Sequence, residues 1–234
     1  MINSIRNTVL SIIDKDNSGY ISPSEFNLFA KAAQLEIYQE YFDNYRKAVS
    51  AKNNRKGSRG ASDEVKDVSN KLNIFTKKVT LASGGTYTFT LPSDMYILNT
   101  VLTTLNSIDD IVEEVDKTEF FYLKQANMAS PTEKYRVYTR YANEIDVFPV
   151  PSSAQAIYYK IPSTPKWTYL TTAGGDPIYN PSATDFSDFE LHPEEETQLI
   201  IKILRYAGIT IRAEDVVSVA EGQDNKEYEK ENLT

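Results

Sequence analysis

Hydrophobic positions recur at helical spacing near both ends of the chain and alternate through its middle third. Ile2, Ile5, Val9, Ile12 and Ile13 mark a short first helix that stops at a loop spanning Asp14 to Gly19. A long helix starts at Pro23. There Phe26, Phe29, Ala30, Ala33, Ile37, Tyr41, Tyr45 and Val49 hold one stripe for about 25 residues, or roughly 40 Å of helix. The stripe dissolves between Lys52 and Gly60 into a basic, polar connector. A third helix follows, with Ser62 as its cap, Asp63 and Glu64 in its first turn, and Val65, Val68, Leu72 and Phe75 on its apolar face.

At Lys78 the period shortens to two. Val79–Leu81 and Tyr87–Leu91 flank Ser83-Gly84-Gly85, the pattern of a hairpin closed by Pro92. Tyr96–Leu105 continues the β character, and Asp116 or Thr118 opens a short helix over Glu119–Met128. Val137–Val147 and Ala156–Ile161 read as strands ended by prolines, with a further strand over Trp167–Leu170. Residues 171–190, rich in Gly, Pro, Asp and Asn, read as a loop. A last strong helix begins with Pro193 at its first position and Glu194, Glu195 and Glu196 at the positive end of its dipole. Leu199, Ile200, Ile203, Leu204 and Ala207 form its apolar face, and Gly208 is its expected stop. A short helix over Ala213–Ala220 leads into an acidic tail, with seven acids and two lysines between Ala213 and Glu231.

These elements predict an α+β fold: a helical bundle with an inserted, mostly antiparallel β region and a closing C-terminal helix. The expected divisions are a helical region at 1–75, a β-rich insert with one short helix at 76–170, and an irregular loop at 171–192. The bundle helix follows at 193–212, then the short helix and acidic tail at 213–234.

Composition narrows the function classes. The chain has 234 residues, no cysteine and a single histidine, His192. Disulfides, thiolate metal sites and cysteine nucleophiles are therefore absent, and any serine triad would have to use His192. No stretch approaches the length of a membrane span, and Asn3, Ser4, Asn7 and Thr8 break any signal-peptide pattern. A net charge of −8 opposes general nucleic-acid binding but suits a surface that must not hold DNA. Sixteen tyrosines against one tryptophan favour packing and protein contacts. Neither Gly84-Gly85 nor Gly174-Gly175 is followed by the lysine and helix of a phosphate loop, and Asp109-Asp110 and Glu113-Glu114 read as solvated. Beside Pro193, His192 reads as a cap. Nothing here predicts an enzyme.

One motif supports two readings. Asp14, Asp16, Ser18, the Tyr20 carbonyl and Glu25 fall at the ligand positions of a calcium loop, with Gly19 at its turn. Ser22, Pro23 and Glu25 equally spell a capping box, which needs no metal and is the reading preferred here. A second calcium loop is missing, and Glu25 is claimed by both readings. The calcium alternative is a protein-interaction module with a single metal loop.

Gly19-Tyr20-Ile21-Ser22-Pro23, Glu25-Phe26-Asn27, Ala30-Lys31 and Ala33-Gln34 resemble the N-terminal signature of a virion protein family of crAss-like bacteriophages. Leu91-Pro92-Ser93-Asp94, the Tyr138–Pro151 run, Tyr158–Pro162, Trp167, Asp188–Glu196 and Leu204–Gly208 extend the resemblance over most of the chain. The element order is similar to head-to-tail adaptors, or tail tubular proteins, of short-tailed phages.

The resemblance implies a non-enzymatic ring subunit of the virion neck, assembled in the bacterial cytoplasm without a cofactor. It implies a homo-oligomer of about twelve copies between portal and tail, touching the portal protein and other neck or tail rings. Genomic DNA would pass through without specific binding, and no membrane is involved. A closed ring needs two different complementary faces on each copy. Tyr41, Phe42 and Tyr45 are the expected contacts between subunits, with bundle core as the competing use. The basic residues Arg55, Lys56 and Arg59 are expected against an acidic partner.

Overall fold

The structure, a computed structural model, describes residues 1–15, 20–53, 60–105 and 108–211. The chain divides into two units: Met1–Ile74 together with the chain from Pro162 onward, and Phe75–Ile161 inserted between them. The first is helical and the second mostly β, so the fold is α+β. No described helix is long and apolar enough to cross a membrane.

The first unit opens with α1 (Ile2–Lys15), α2 (Pro23–Asn53) and α3 (Gly60–Asn73). Most of each stripe read from the sequence is buried: Ile2, Ile5, Val9 and Ile13 on α1, and Phe26, Ala30, Ala33, Ile37 and Tyr41 on α2, while Ile12, Phe29 and Val49 are half-buried and Tyr45 is exposed. Helix α3 spans Gly60–Asn73, so it starts two residues ahead of the cap position expected at Ser62.

The inserted unit carries β1 (Thr76–Thr80), β2 (Ala82–Ser83), β3 (Thr88–Thr90), β4 (Met95–Leu105) and β5 (Ile108–Glu114). After these come α4 (Lys117–Gln125), β6 (Val137–Arg140), β7 (Glu144–Phe148) and β8 (Ala154–Lys160). The strand order is β1-β8-β4-β5-β6-β7-β3-β2, antiparallel except between β5 and β6. The two ends of that order, β1 and β2, are separated in sequence only by Leu81, so the strands form a circuit closed by the chain itself. Phe89, Val101, Val112, Tyr138, Ile145, Val147, Ala156 and Tyr158 face one shared core, drawn from the six strands β3 to β8. Arg136 is buried beside this core, donating from Nη1 to Thr103 Oγ1 (3.3 Å) and from Nε to the Pro149 carbonyl (3.2 Å). Asp116 caps α4 by accepting from the Thr118 amide.

Three strand expectations change. Val79 pairs with Ala156 on β8, and Leu81 donates to the Ala154 carbonyl, so only Ala82–Ser83 form the hairpin with β3. Val137–Val147 is two strands turned at Tyr141–Asn143, where the Tyr141 amide bonds the Glu144 carbonyl. No strand was expected over Ile108–Glu114, which is β5; its Ile111 and Val112 pair with Leu102 and Val101, while Asp109, Glu113 and Glu114 are exposed and Asp110 half-buried, in keeping with their reading as solvated. The β unit ends at Ile161, before the expected boundary at 170.

The chain then returns to the helical unit. Segment 171–190 is not wholly loop: β9 (Tyr169–Thr171) pairs with β10 (Pro177–Tyr179) around Gly175, whose φ of +92° is the left-handed conformation that glycine adopts without strain. A 3-10 turn at Pro193–Glu195 leads into α5 (Glu196–Ile211), which runs on through Gly208 and does not stop there. Helix α2 packs against α3 and α5, and α1 against α5. These pairwise packings do not establish the bundle that was expected.

An ionic cluster joins α2 to α5. Lys202 is buried, yet its Nζ reaches Glu40 Oε1 at 2.8 Å and Glu36 Oε1 at 3.4 Å. Arg205 donates to the same Glu36 oxygen, and the Tyr206 hydroxyl donates to Glu36 Oε2 (3.0 Å). A buried ammonium without such partners would be strongly destabilising, so the two carboxylates one turn apart on α2 fix where α5 can sit. Burial alone would raise the Glu36 carboxyl, but the hydrogen bond from Arg205 and the charge of Lys202 outweigh it and hold the group below its ordinary 4.5. Its contribution to stability is therefore complete above that value and is lost as pH falls through the lower folded value. Glu36→Gln should cost about 1–2 kcal/mol at pH 7, a figure kept small by partial solvent screening. It should also flatten the loss of stability below pH 4.5; denaturant titrations at several pH values check both.

Candidate functional site

The densest polar constellation in the helical unit is a clamp between α2 and the returning chain. Asn27 and Gln34 lie two turns apart on one face of α2. Asn27 Nδ2 donates to the Trp167 carbonyl (3.1 Å) and its Oδ1 accepts from the Trp167 amide (2.8 Å). Gln34 Nε2 donates to the Ser163 carbonyl (2.7 Å) and its Oε1 accepts from the Glu190 amide (3.2 Å). Each side-chain amide thus stands in for a neighbouring strand, satisfying backbone groups that an irregular segment cannot satisfy itself.

The segment reciprocates along its length. Asp188 accepts from the Ile2 amide (2.8 Å) and the Met1 amine (3.0 Å), at the positive end of α1. Glu190 Oε2 accepts from the Ser163 amide (3.0 Å), and His192 Nδ1 accepts from the Glu194 amide (3.3 Å), the capping role read from the sequence. Glu195, buried, bonds Lys71 of α3 at 2.7 Å.

Trp167 is fully buried. Tyr169 and Tyr179 stack on it at 5.6 and 6.0 Å, and its Nε1 donates to Asn3 Oδ1 (3.1 Å). The Arg6 guanidinium lies 3.8 Å from the indole centre, and burial lowers the affinity of Arg6 for its proton. Asn27, Gln34, Trp167 and Asp188–Glu195 are residues that carry the phage-family resemblance. Here they bind the chain to itself.

The expected contact residues divide. Tyr41 and Phe42 are buried at 5% and 7% exposure within the helical unit, so they are core in this fold and not free for a neighbouring copy; helical spacing alone could not tell the two uses apart. Lys71 lies 5.7 Å from the Tyr41 ring centre. Burial, reinforced by the nearby Glu195 charge, pushes the Tyr41 phenol far above its ordinary range. Glu195 bonds Lys71, and among the described residues no partner meets the Tyr41 hydroxyl in hydrogen-bonding geometry. Tyr45 is at the surface, and Arg55, Lys56 and Arg59 lie outside the described residues.

Of the calcium-loop positions, Asp14 and Tyr20 are exposed, while Asp16 and Ser18 lie outside the described residues. Glu25 closes the capping box: its Oε2 accepts from the Ser22 amide (2.8 Å) and hydroxyl (2.7 Å), while the Glu25 amide donates to Ser22 Oγ (3.3 Å). The bonds from Ser22 hold the Glu25 carboxyl below its ordinary range. Among the described residues no three acidic or histidine side chains converge as a metal site.

Exposed apolar side chains appear on β9, part of an expected strand, on β10 within the expected loop, and beside the acids read as solvated. On the β9–β10 hairpin, Leu170 and Ile178 are cross-strand partners, 62% and 56% exposed, on the face opposite the Tyr169–Tyr179 pair that stacks on Trp167. On β5, Ile108 and Ile111 are 65% and 71% exposed. The signal was present in the alternation of these short strands, but the glycines and acids around them masked it.

No family model and no curated protein matches the chain.

Two substitutions check this reading of the site. Ser22→Ala should lower Tm by about 2–4 °C, equally in calcium and in chelator, because the lost interaction is a helix cap. Tyr41→Phe should hold stability or raise it by up to about 1 kcal/mol, since it removes a buried hydroxyl without a partner. Chemical denaturation measures the second; a clear loss would mean that Glu195 does bond the phenol.

Proposed function

We propose that this chain is a structural subunit of an oligomeric ring that joins the portal of a phage capsid to its tail and lines the DNA passage. In this reading it is not an enzyme, occurs in about twelve copies in the virion neck, and contacts the portal and adjoining rings. What carries the proposal is the presence of exposed large apolar side chains on different elements of the two units. Leu170 and Ile178 form a cross-strand pair on the helical unit's hairpin, and Ile108 and Ile111 stand on opposite faces of β5 in the inserted unit. A head-to-tail ring buries two unlike patches on every copy, whereas a two-fold dimer needs only one. Exposed aliphatic groups of this size are also typical of surfaces that become covered.

The negative balance of the chain supports the conduit role, because a basic lining would hold the genome during its passage. The resemblance at the residues of the clamp supports the family reading. The calcium-module alternative has lost ground, since the carboxylate it requires at its last position is bonded to Ser22.

Light scattering and negative-stain imaging, on the purified chain alone and with a portal ring, test the proposal. Wild type should form rings or decorate the portal. The double variant Leu170→Asp with Ile178→Asp should keep its circular dichroism spectrum and lose at least about tenfold in assembly affinity. A wild-type chain that stays monomeric with and without portal, and is missing from purified particles by mass spectrometry, would refute it.

A further inference from the structure

We infer that the inserted β unit is an autonomous cooperative unit and the clasp of the helical unit: it stays folded when the helices open, whereas the helices need it folded to stay together. Topology separates the two directions of dependence.

The strand pairings and the shared core of the β circuit all fall within Phe75–Ile161. Opening the helical unit removes none of them. The helical unit, in contrast, is assembled from two pieces of chain. Its holding contacts cross long gaps in sequence: 140 residues from Asn27 to Trp167, 129 from Gln34 to Ser163 and 186 from Ile2 to Asp188.

The two pieces are brought together by the ladder on which the β unit begins and ends. Thr76 faces Tyr159 across β1 and β8, and the Phe75 carbonyl accepts from the Lys160 amide at 2.9 Å. With the β unit folded, Ile74 and Pro162 are each one residue from adjacent strands. With it unfolded, they are the ends of a flexible loop as long as the whole insert, and closing that loop opposes every contact of the clamp. Loss of the β unit therefore destabilises the helices, while loss of the helices leaves the β unit intact.

This inference is independent of the ring reading. Hydrogen exchange with mass spectrometry on the full chain tests it. Trp167→Ala removes the buried anchor of the clamp, and Asn27→Ala is the milder version. In both, amides of α1, α2 and α5 should exchange at least about tenfold faster, with β4 and β8 unchanged. Val101→Asp, which places a charge in the β core, should remove protection from both units. Equal acceleration of β4 and β8 in the clamp variants, or a chain that no longer folds at all, would show one cooperative unit and overturn autonomy. Helices fully protected in Val101→Asp would overturn the clasp.

Discussion

The helical unit depends on one requirement: an irregular stretch of chain must be held against a helix without leaving its backbone unsatisfied. Residues 162–190 have a short hairpin and one isolated bridge of their own, yet Pro162, Pro165, Trp167, Thr168 and Phe189 are buried. Buried amides and carbonyls need partners, and two amide side chains on α2 provide them. Because Asn27 and Gln34 each both donate and accept, the segment is held at two points and in one register. A hydrophobic contact alone would be non-directional and would allow it to slide. The ionic cluster around Lys202 then fixes α5 on a neighbouring sector of α2. One long helix therefore serves as the rail on which the rest of the unit is laid.

That arrangement explains the length of α2. A helix that must pair with α3 toward one end, hold an irregular segment along one face and meet α5 along another needs more turns than a two-sided helix. It also explains why the protein-facing side of α2 is not purely apolar. Glu36, Glu40, Asn27 and Gln34 are polar positions that face protein, so the solvent face and the polar face do not coincide. The inserted unit solves a different problem. Its strands close through Leu81, so it has a core of its own, and it hands the chain back next to where it received it.

Much of this was legible in the sequence because local rules and burial agreed there. The stripes of α1 and α2, the Asp116 and His192 caps and the Ser22–Glu25 box each follow from a few neighbouring residues. The errors arose where a distant partner decided. Val79 was assigned to the nearest strand in sequence, but β8 offered a longer ladder. Ile108–Glu114 carries four acids in seven residues, and only its pairing with β4 reveals a strand whose charges point away from the core. Gly208 did not end α5: a glycine at a helix end is a permissive stop, and the residues after it continued the helix. The single turn in Val137–Val147 was missed because Ala142-Asn143 contains neither glycine nor proline to punctuate the β pattern. The clamp could not be foreseen at all, since nothing in Asn27 or Gln34 names a partner well over a hundred residues away.

The contact residues follow the same logic, and they show what a sequence likeness of this kind can carry. Tyr41 and Phe42 satisfied the pattern expected of an interface, being large and aromatic on a long helix, but a bundle-facing aromatic satisfies it equally, and burial decides for the core. Several residues of the resemblance are likewise occupied inside the unit, by the Trp167 cradle, the Asp188 bonds to α1 and the Glu195–Lys71 pair. At those positions the resemblance is an argument about how the chain is built. What the chain joins must be settled on side chains that the fold does not need, and the apolar pair on the β9–β10 hairpin and the exposed isoleucines of β5 are of that kind. They are exposed in the single chain, and covering them would release ordered water around large aliphatic groups.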